Sequence, residues 1–583
     1  MMSRRVALTP ARIWGLISLG AIAFSLLAAG IFQRDLVNAD GLPLLLRFFG
    51  ASLHPDLSQD MLQLTWESSL ITLAYAVCGT VLSLGLGLVG GLLGSEVWWL
   101  AVMGALFEIP ARGRQPSRTA DRQGLTKAVP SSSQPPKFWL SIRALLAFPR
   151  AIHELIWGLF FINLWGLDPL TAILAIAIPF GAIVAKVFSE ILDDTPRQSL
   201  QALLSSGVPP ISAFCYSLLP QAFLNLLSYA FYRFECSIRS AAVLGIIGAG
   251  GLGYQILLSL QSLRYEQLWT FFYALFVLNG LVDFSSAWLR RQLGCANRMD
   301  LNLKRAVALR SGQRQQQGIG IVLLGAVVFL VPYCFWYVHP DFSHLWAATS
   351  GQRLGEIYRA SQPPDWSIAP QLLSLSVETV AMSILAIAFA AIGGLLLAFL
   401  AAHNLFLPGG LLNPNRTTGT NYLPLLGFLL SRAVLLLMRA IPAPIWALVI
   451  VFILFPGILP GAIALGLHNL GILGRLMAEV IENLDQRPLE ALKAQGAPAL
   501  LVFFYGVLPL SLPRFLAYAL YRWEVCMRET VIVGLVGAGG LGRLLMEQLS
   551  SFDYRGIVLT LGCFLLLTFA VDWVSAKARR SMR

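Results

Sequence analysis

The sequence predicts an all-α polytopic membrane protein with about twelve transmembrane helices, arranged as two parallel six-helix repeats. Composition is the first reason. Hydrophobic residues make up 57% of the 583 residues and charged residues only 12%, whereas soluble domains carry about 25% charged residues. The second reason is that apolar stretches of bilayer-spanning length recur along the chain. The third is that one long part of the sequence returns in a second part.

The repeat is clearest in a glycine-rich segment. Residues 245–253 read GIIGAGGLG, and residues 534–542, which lie 289 positions later, read GLVGAGGLG. The same offset relates Trp157 to Trp446. A constant offset over so long a stretch indicates two copies of one unit. We therefore divide the chain into a first copy (1–292), a linker (293–317) and a second copy (318–583).

We expect six membrane spans in each copy. In the first copy they lie near 12–32, 66–94, 140–164, 168–191, 216–245 and 267–289. In the second copy they lie near 318–338, 374–401, 427–453, 457–480, 505–534 and 556–577. The first span could be mistaken for a signal peptide. A matching span opens the second copy, where no signal peptide could stand, so we expect a retained helix.

The basic residues orient the chain in the membrane. The loop 95–139, the linker and the C-terminal end are rich in Lys and Arg, whereas segments 33–64 and 339–372 are not enriched. Cytoplasmic loops carry such an excess, so we expect these basic segments and both termini to be cytoplasmic. The net charge of +12 therefore reflects sidedness rather than nucleic-acid binding. An even number of spans relates the copies by an axis along the membrane normal, with a pathway between them.

A short, well-delimited helix is predicted between the fourth and fifth spans of each copy, at about 194–207 and 485–496. In the second copy Pro488 suits the first turn, and Gly496 suits the position just past the end. A Leu-Pro pair follows each helix at matched spacing. A single such helix could lie passively at the membrane interface. Its repetition favours a helix that projects into the cytoplasm and fits a groove on a soluble partner.

The second of these helices resembles the EAA coupling loop of ABC importer permeases, which docks onto the ATPase subunit. The resemblance rests on Glu490-Ala491 followed by Gly496 and then by Leu-Pro. It implies that the ATPase-coupling residues are Gln201, Ala202, Gly207, Glu490, Ala491 and Gly496. The first copy has Gln201 where the second has Glu490, so the second half is nearer the family pattern.

Other segments resemble one branch of that family, the phosphonate ABC transporter permease. They are RAIHELIW at 150–157, RAIPAPIW at 439–446 and FDYR at 552–555. The resemblance covers nearly the whole chain, as two copies fused. It implies a translocation subunit, in the bacterial inner membrane, of an importer for phosphonates or a related anion such as phosphite or a phosphate ester. It also implies two partners, a separate ATPase subunit acting as a dimer and a periplasmic or lipid-anchored substrate-binding protein.

The chain carries no sequence sign of catalysis or of a cofactor. It contains no GxxxxGK[ST] motif, so we expect ATP to be hydrolysed by another subunit. Its seven cysteines show no paired spacing that would suggest a disulfide framework or a metal site. GxGxxG occurs twice, but each occurrence follows a membrane span rather than a strand, which argues against a dinucleotide site.

Two interpretations of the glycine segments remain open. Small residues allow membrane helices to pack closely. Alternatively, a broken or re-entrant helix lines the pathway or forms its gate, because exposed backbone is tolerated at membrane depth only inside protein or beside water. The candidate residues for the pathway or gate are Gly248, Gly250, Gly251, Gly253, Gly537, Gly539, Gly540 and Gly542.

Charged residues recur within the fifth span of each copy. Glutamate and arginine stand four apart, on one helix face, at Glu235 and Arg239 and again at Glu524 and Arg528. We expect these to be intramembrane ion pairs, since charges in a membrane are usually paired or face a cavity. They either anchor the helix or, with Arg233 and Arg522, shape a path for an anion.

Three other functions stay open at this stage. Repeated six-span halves also fit an ion-coupled secondary transporter with twelve spans. A permease of the same superfamily for another small solute is the second, and a membrane oxidoreductase that uses the glycine motif is the third. The predicted coupling helices favour the ATP-driven importer over the secondary transporter and the oxidoreductase. They do not distinguish it from a permease of the same superfamily for another solute.

Overall fold

The computed structural model describes residues 10–30, 38, 41–107, 137–293, 325, 328–407, 410–411, 422–451, 453–534 and 537–582. Over these ranges the chain is built from helices and contains no β-strand. Nearly all of the predicted linker 293–317, most of the predicted loop 95–139 and part of the first predicted span of each copy lie outside the described residues.

The first copy contains twelve described helices. They are α1 (Pro10–Ala28), α2 (Leu42–Ala51), α3 (Gln59–Gly94), α4 (Glu96–Phe107), α5 (Lys137–Ala151), α6 (Glu154–Trp165), α7 (Pro169–Asp194), α8 (Gln198–Ser205), α9 (Pro210–Ala213), α10 (Leu219–Leu244), α11 (Gly251–Gln261) and α12 (Tyr265–Gln292). Single π-helical turns join α9 to α10 and end α10, at Phe214–Leu218 and Gly245–Ala249.

The second copy follows the same plan. Its described helices are α13 (Val328–Val338), α14 (Ala348–Ala360), α15 (Ala369–Ala401), α16 (Leu423–Ala440), α17 (Ala443–Val451), α18 (Ile458–Glu482), α19 (Arg487–Ala494), α20 (Ala499–Val502), α21 (Leu508–Gly534), α22 (Gly540–Ser550) and α23 (Tyr554–Met582). Another π-helical turn, Phe503–Val507, joins α20 to α21.

Helix boundaries repeat with the offset read from the sequence. Helices α8, α9 and α11 begin at 198, 210 and 251, and their counterparts α19, α20 and α22 begin 289 residues later, at 487, 499 and 540. The internal repeat is therefore confirmed as a repeat of structure. Earlier in each copy the spacing differs: Thr72 and Thr379 make equivalent contacts but lie 307 residues apart. The first copy thus has a longer connection between α3 and α5, where its basic loop lies.

Nine helices in the described part of the chain are long and apolar enough to cross a membrane. Helices α5 and α6, which meet at 82°, would form a tenth span if taken together. The helices that open the two copies are shorter, at Ile13–Ala28 and Val328–Val338. A polytopic all-helical protein is confirmed, whereas the count of about twelve and the cytoplasmic termini stay predictions.

The third predicted span, 140–164, is not one straight helix. It breaks at Ile152, and His153 begins the next helix by accepting a hydrogen bond from the Leu155 amide at 3.2 Å on its side chain. The equivalent span of the second copy also breaks, between α16 and α17, where Pro442 stands in place of His153. Local capping and proline therefore override the continuous apolar pattern at this point.

Apolar cores join the two copies. One cluster contains Leu268 and Trp269 of α12 together with Met382 of α15 and Trp446 of α17. Another joins Ile156 of α6 to residues of α21, α22 and α23. Each copy thus packs its central helices against the other, and the interface encloses the axis that relates them.

Candidate functional site

A cavity of about 230 Å³ lies between the two copies. In the first copy it is lined by α5, α6, α7 and α10, and in the second by the equivalent helices α16, α17, α18 and α21, with one residue of α23. Several lining residues form pairs at the repeat offset: Lys186 with Arg475, Arg233 with Arg522, and Arg239 with Arg528. The cavity therefore follows the axis between the copies.

Basic side chains outnumber acidic ones in the lining of this cavity. Eight are basic: Arg150, Lys186, Arg233, Arg239, Arg439, Arg475, Arg522 and Arg528. Five are acidic: Glu154, Glu190, Glu524, Glu529 and Asp572. Such an excess between membrane helices favours an anionic occupant, provided that some of the basic groups are not already neutralised by neighbours.

Two ion pairs beside the cavity join equivalent residues in the two copies. Glu235 accepts a hydrogen bond from Arg290 at 2.8 Å, and the equivalent Glu524 forms an ion pair with Arg579 at 2.6 Å. Each links the fifth long helix of its copy to the last one, α10 to α12 and α21 to α23. The Ser286 hydroxyl also donates to Glu235 at 2.6 Å. These pairs tie helices together within a copy.

The sequence predicted pairs within one helix, Glu235 with Arg239 and Glu524 with Arg528. The observed ion pairs of both glutamates are with another helix. The carboxylates turn toward the neighbouring helix, where the last turns of α12 and α23 supply an arginine. Arg239 instead donates to the Cys236 sulfur at 3.4 Å, and Arg528 donates to the Arg150 carbonyl oxygen at 3.1 Å. The sequence did hold the missing signal, because the partner arginines also repeat at an offset of 289 residues.

The arginine pair at 233 and 522 is not equivalent in its contacts. Arg522 donates to the Asn469 side-chain oxygen at 2.7 Å and to Glu529 at 2.9 Å. The first copy has Phe180 and Ser240 at the positions equivalent to Asn469 and Glu529. The Arg233 guanidinium lies 3.7 Å from the centre of the Phe180 ring.

A second inequality involves an ion pair that crosses between the copies. Arg439 of the second copy pairs with Asp283 of the first. The equivalent residues in the other direction are Arg150 and Asp572. Within the described part of the chain, the Asp572 Oδ1 atom is buried and has no hydrogen-bond partner. Among the described residues, the close cross-copy ion pair is thus that of Arg439 with Asp283, whereas Arg150 and Asp572 attract each other over a longer distance.

An apolar cluster adjoins the cavity. Leu155, Val243 and Ile532 are buried together, and Val243 and Ile532 also line the cavity. Val243 and Ile532 are equivalent residues of the two copies and each lies two residues before a glycine segment. The cluster therefore adjoins the charged cavity and, along the chain, both glycine segments.

Each glycine segment both breaks a helix and brings two helix backbones together. In the first copy Gly248, Gly250 and Gly251 have φ of +97°, +88° and +73°, which L side chains rarely adopt. A Cβ atom on Gly253 would clash with the Ala242 carbonyl group. Their counterparts Gly537, Gly539 and Gly540 have φ of +83°, +87° and +71°, and a Cβ atom on Gly542 would lie 2.8 Å from the Val531 Cα. Each glycine segment thus combines a broken helix with close helix packing, the two features that the sequence left open.

The start of each helix after a glycine segment is held by a threonine. The Leu252 amide donates to Thr72 of α3, and the Leu541 amide donates to Thr379 of α15, both at 2.9 Å. None of the described residues that line the cavity is a glycine. A role for the glycines in the pathway or gate therefore remains a hypothesis.

The short helices α8 and α19 have the form expected of docking elements. Leu200 and Leu489 are buried and fix one face, whereas Gln201 and Ala202 are exposed, as are their counterparts Glu490 and Ala491. The glycines Gly207 and Gly496 end the helices with φ of +80° and +81°. Both ends are closed by hydrogen bonds of the Schellman type, including Val208 N to Leu203 O at 3.1 Å.

Comparison with known proteins assigns both halves of the chain to one family. The family model for the inner membrane component of binding-protein-dependent transport systems matches residues 125–294 and 418–583. These two matches cover the helices from α5 to α12 and from α16 to α23. The match in duplicate agrees with the structural repeat.

Several curated relatives carry related names. A phosphate-import permease protein, PhnE of Mycolicibacterium smegmatis, is 28% identical over 75% of this chain and 77% of its own length. The phosphite transport system permease protein PtxC of Stutzerimonas stutzeri is 35% identical over 38% of this chain and 75% of its own. A putative cryptic phosphonate transport system permease protein, PhnE2 of Escherichia coli, is 34% identical over 20% of this chain and 97% of its own.

The apolar helices and these relatives agree with a multi-pass protein of the bacterial inner membrane. Each of the two family matches contains a short exposed helix and a glycine segment, together with one half of the cavity lining. The chain belongs to the family of binding-protein-dependent transport system inner membrane components, and it carries two copies of that component.

Proposed function

We propose that this chain is the membrane-spanning translocation subunit of an ATP-driven importer for a phosphorus oxyanion, such as a phosphonate, phosphite or a phosphate ester. The observation that carries the proposal is the cavity between the copies, with its eight basic and five acidic lining residues. Guanidinium groups bind phosphate-like groups through paired hydrogen bonds. The names of the three relatives, which refer to phosphate, phosphite and phosphonate, point to the same class of substrate.

Energy for transport comes from another subunit. The sequence has no P-loop, and members of this family act as membrane subunits beside a separate ATPase and a substrate-binding protein. We infer that the ATPase acts as a dimer, one subunit for each copy. We also infer that the binding protein is periplasmic or lipid-anchored and delivers the anion to the outer face.

The exposed faces of α8 and α19 are the proposed contacts with the ATPase dimer. Their buried leucines fix the helices to the membrane core, so a force on either helix would be passed to the long helices behind it. The resemblance to the EAA loop supports this role for Glu490 and, in the first copy, for Gln201. An exposed short helix that fits a groove is a common mode of protein recognition.

Alternating access follows from this arrangement. ATP binding closes the ATPase dimer, draws α8 and α19 together and rocks the two copies so that the cavity opens outward. Hydrolysis returns the cavity to the cytoplasmic side. The cluster of Leu155, Val243 and Ile532 would have to part in the outward state, and the glycine segments directly after α10 and α21 supply a gate that can bend.

The ion-coupled secondary transporter is the main alternative from the sequence, and the family match favours the importer. The substrate class is tested by uptake of radiolabelled phosphate, phosphite and 2-aminoethylphosphonate in cells that have lost their other phosphorus transporters. Expression of this chain with its ATPase and binding protein should restore ATP-dependent uptake of at least one of them. Uptake of a non-phosphorus solute alone would overturn the substrate class.

A further inference from the structure

Arg233 and Arg522 are equivalent arginines of the fifth long helices and both line the cavity, but among the described residues only Arg233 of the two has guanidinium nitrogens without a hydrogen-bond partner. We propose that Arg233 binds the transported oxyanion and that the cavity therefore has a single anion site rather than two equivalent ones. This inference rests on the proposed function, because it names the residue that would hold the phosphorus oxyanion on its way through the membrane.

Arg522 is already neutralised. Its Nε donates to Asn469 at 2.7 Å and its Nη2 donates to Glu529 at 2.9 Å. Its side chain is 8% exposed and that of Glu529 is 13% exposed. A buried guanidinium that already holds a carboxylate and an amide has little to offer a second anion. In the second copy, Arg522 therefore already has its hydrogen-bond acceptors within the protein.

Two of the three guanidinium nitrogens of Arg233 lack such partners among the described residues. Arg233 is 7% exposed, and its Nε and Nη2 atoms are buried without a hydrogen-bond partner in the described part of the structure. Phe180 and Ser240 occupy the positions of the amide and the carboxylate that hold Arg522. Buried charged donors without acceptors are costly, so an unpaired arginine in a cavity indicates that a ligand supplies the acceptors.

A nearby carboxylate of the first copy is engaged elsewhere. Glu154 accepts from the Ser240 hydroxyl at 2.7 Å and lies 3.2 Å from the His153 Nε2 atom. Ser240 is the residue equivalent to Glu529, so the position that neutralises the arginine in the second copy is here turned toward Glu154. The carboxylate therefore does not take the role that Glu529 has in the second copy.

The contact with Phe180 covers a face of the guanidinium and does not use its N–H donors. The Arg233 Cζ atom lies over the ring at 3.7 Å from its centre, so the face of the group is covered. The N–H donors lie in the plane of the guanidinium and point outward from its edges, not toward the ring that covers its face. A tetrahedral phosphorus oxyanion can accept two such hydrogen bonds at once, which suits a transient site better than a permanent ion pair.

The test measures binding of inorganic phosphate by calorimetry to the purified full-length chain in lipid nanodiscs, with sulfate as the competing anion. Loss of a charged hydrogen-bond donor should weaken phosphate binding by ~10-fold or more in Arg233→Gln. The matched control is the double variant Arg522→Gln with Glu529→Gln, which removes the neutralised pair without changing the net charge. It should alter phosphate affinity by no more than ~3-fold.

A second variant leaves Arg233 in place. Ser240→Glu restores the carboxylate found in the other copy and should weaken phosphate binding by ~10-fold, whereas the neutral Ser240→Gln should weaken it less. This comparison remains informative if Arg233→Gln does not fold, which size-exclusion chromatography will show. Wild-type affinity in both Arg233→Gln and Ser240→Glu would overturn the proposal, as would equal losses in Arg233→Gln and the double control.

Cellular uptake separates this inference from the proposed function. If the wild-type chain carries no phosphorus oxyanion, the proposed function fails, and the site fails with it. If the wild type carries one and Arg233→Gln keeps the same uptake rate and the same half-saturating concentration, only the single-site inference fails. Reduced uptake by Arg233→Gln, with partial recovery in Arg233→Lys, is the result expected.

Discussion

The two copies have the same helices but differ in the charges at their interface. The pairs that hold each copy together, Glu235 with Arg290 and Glu524 with Arg579, join equivalent residues on both sides. The contacts next to the axis are not: Arg439 pairs with Asp283, while the equivalent Asp572 has a buried oxygen without a hydrogen-bond partner in the described structure. Within each copy the ion pairs are repeated, whereas the surface between the copies is asymmetric.

The largest expected effect tests the symmetric part. Arg290→Met and Arg579→Met each leave a buried glutamate without its partner, and each should lower the free energy of unfolding by ~3–5 kcal/mol. Both variants should lose stability, because the two pairs join equivalent residues of the repeat. Chemical unfolding in detergent provides the measurement. A large loss for one pair and none for the other would show that the two pairs do not play the same structural role. The glutamine variants of Glu235 and Glu524 in the same backgrounds serve as controls.

The cross-copy ion pair should give unequal effects. Asp283→Asn leaves buried Arg439 without its carboxylate and should cost ~2–3 kcal/mol in the free energy of unfolding. Asp572→Asn should cost less than ~1 kcal/mol, because its Oδ1 atom is buried without a hydrogen-bond partner among the described residues and burial outweighs the attraction to Arg528 and Arg150. Equal losses in the two variants would mean that the axis is symmetric after all. Thermal unfolding of the purified variants, run side by side, makes the comparison.

The coupling helices should differ in the same direction as their sequences. Glu490→Trp places a bulky side chain on the exposed face of α19, and loss of a central contact with the ATPase should cost ~2 kcal/mol of binding, or roughly 30-fold in affinity. Gln201→Trp on α8 should cost less. Uptake of labelled substrate and co-purification of the ATPase are the two measurements. Undiminished uptake in Glu490→Trp would remove the docking role from that helix.

The smallest expected effect concerns backbone conformation. Gly248→Ala and Gly537→Ala put a Cβ atom on residues with φ of +97° and +83°, at ~1 kcal/mol each. Uptake should fall modestly and by the same factor in both. Gly15→Ala, on α1, where no atom lies within 4 Å of an added Cβ, is the control. A drop of more than ~100-fold in either variant alone would show that one segment carries the gate by itself.

Local, repeated motifs were predictable from the sequence, and contacts between distant segments were not. The short helices predicted at about 194–207 and 485–496 follow from patterns within a few residues, and the structure has helices at Gln198–Ser205 and Arg487–Ala494. The offset follows from comparing the two copies directly. The partner of Glu235 is Arg290, 55 residues away, and a spacing rule for one helix cannot reach it. The bend after α5 was missed because a capping side chain interrupts an apolar run.

The unequal arginines illustrate the same limit. Both Arg233 and Arg522 could be singled out from the sequence, as possible parts of an anion path. Their difference depends on residue 469 lying beside residue 522, which only the packing of α18 against α21 brings about. Once that contact is known, the replacement by Phe180 can be read directly from the repeat.

The offset of 289 residues has a consequence for how this pore can change over time. When a pore is built from two identical chains, each substitution beside the axis appears twice, and any carboxylate added to one wall is added to both. Here each wall is encoded separately, so Glu529 can stand opposite Ser240. A single reading frame thus gives selection independent access to the two walls, and a one-sided binding site becomes reachable by single substitutions.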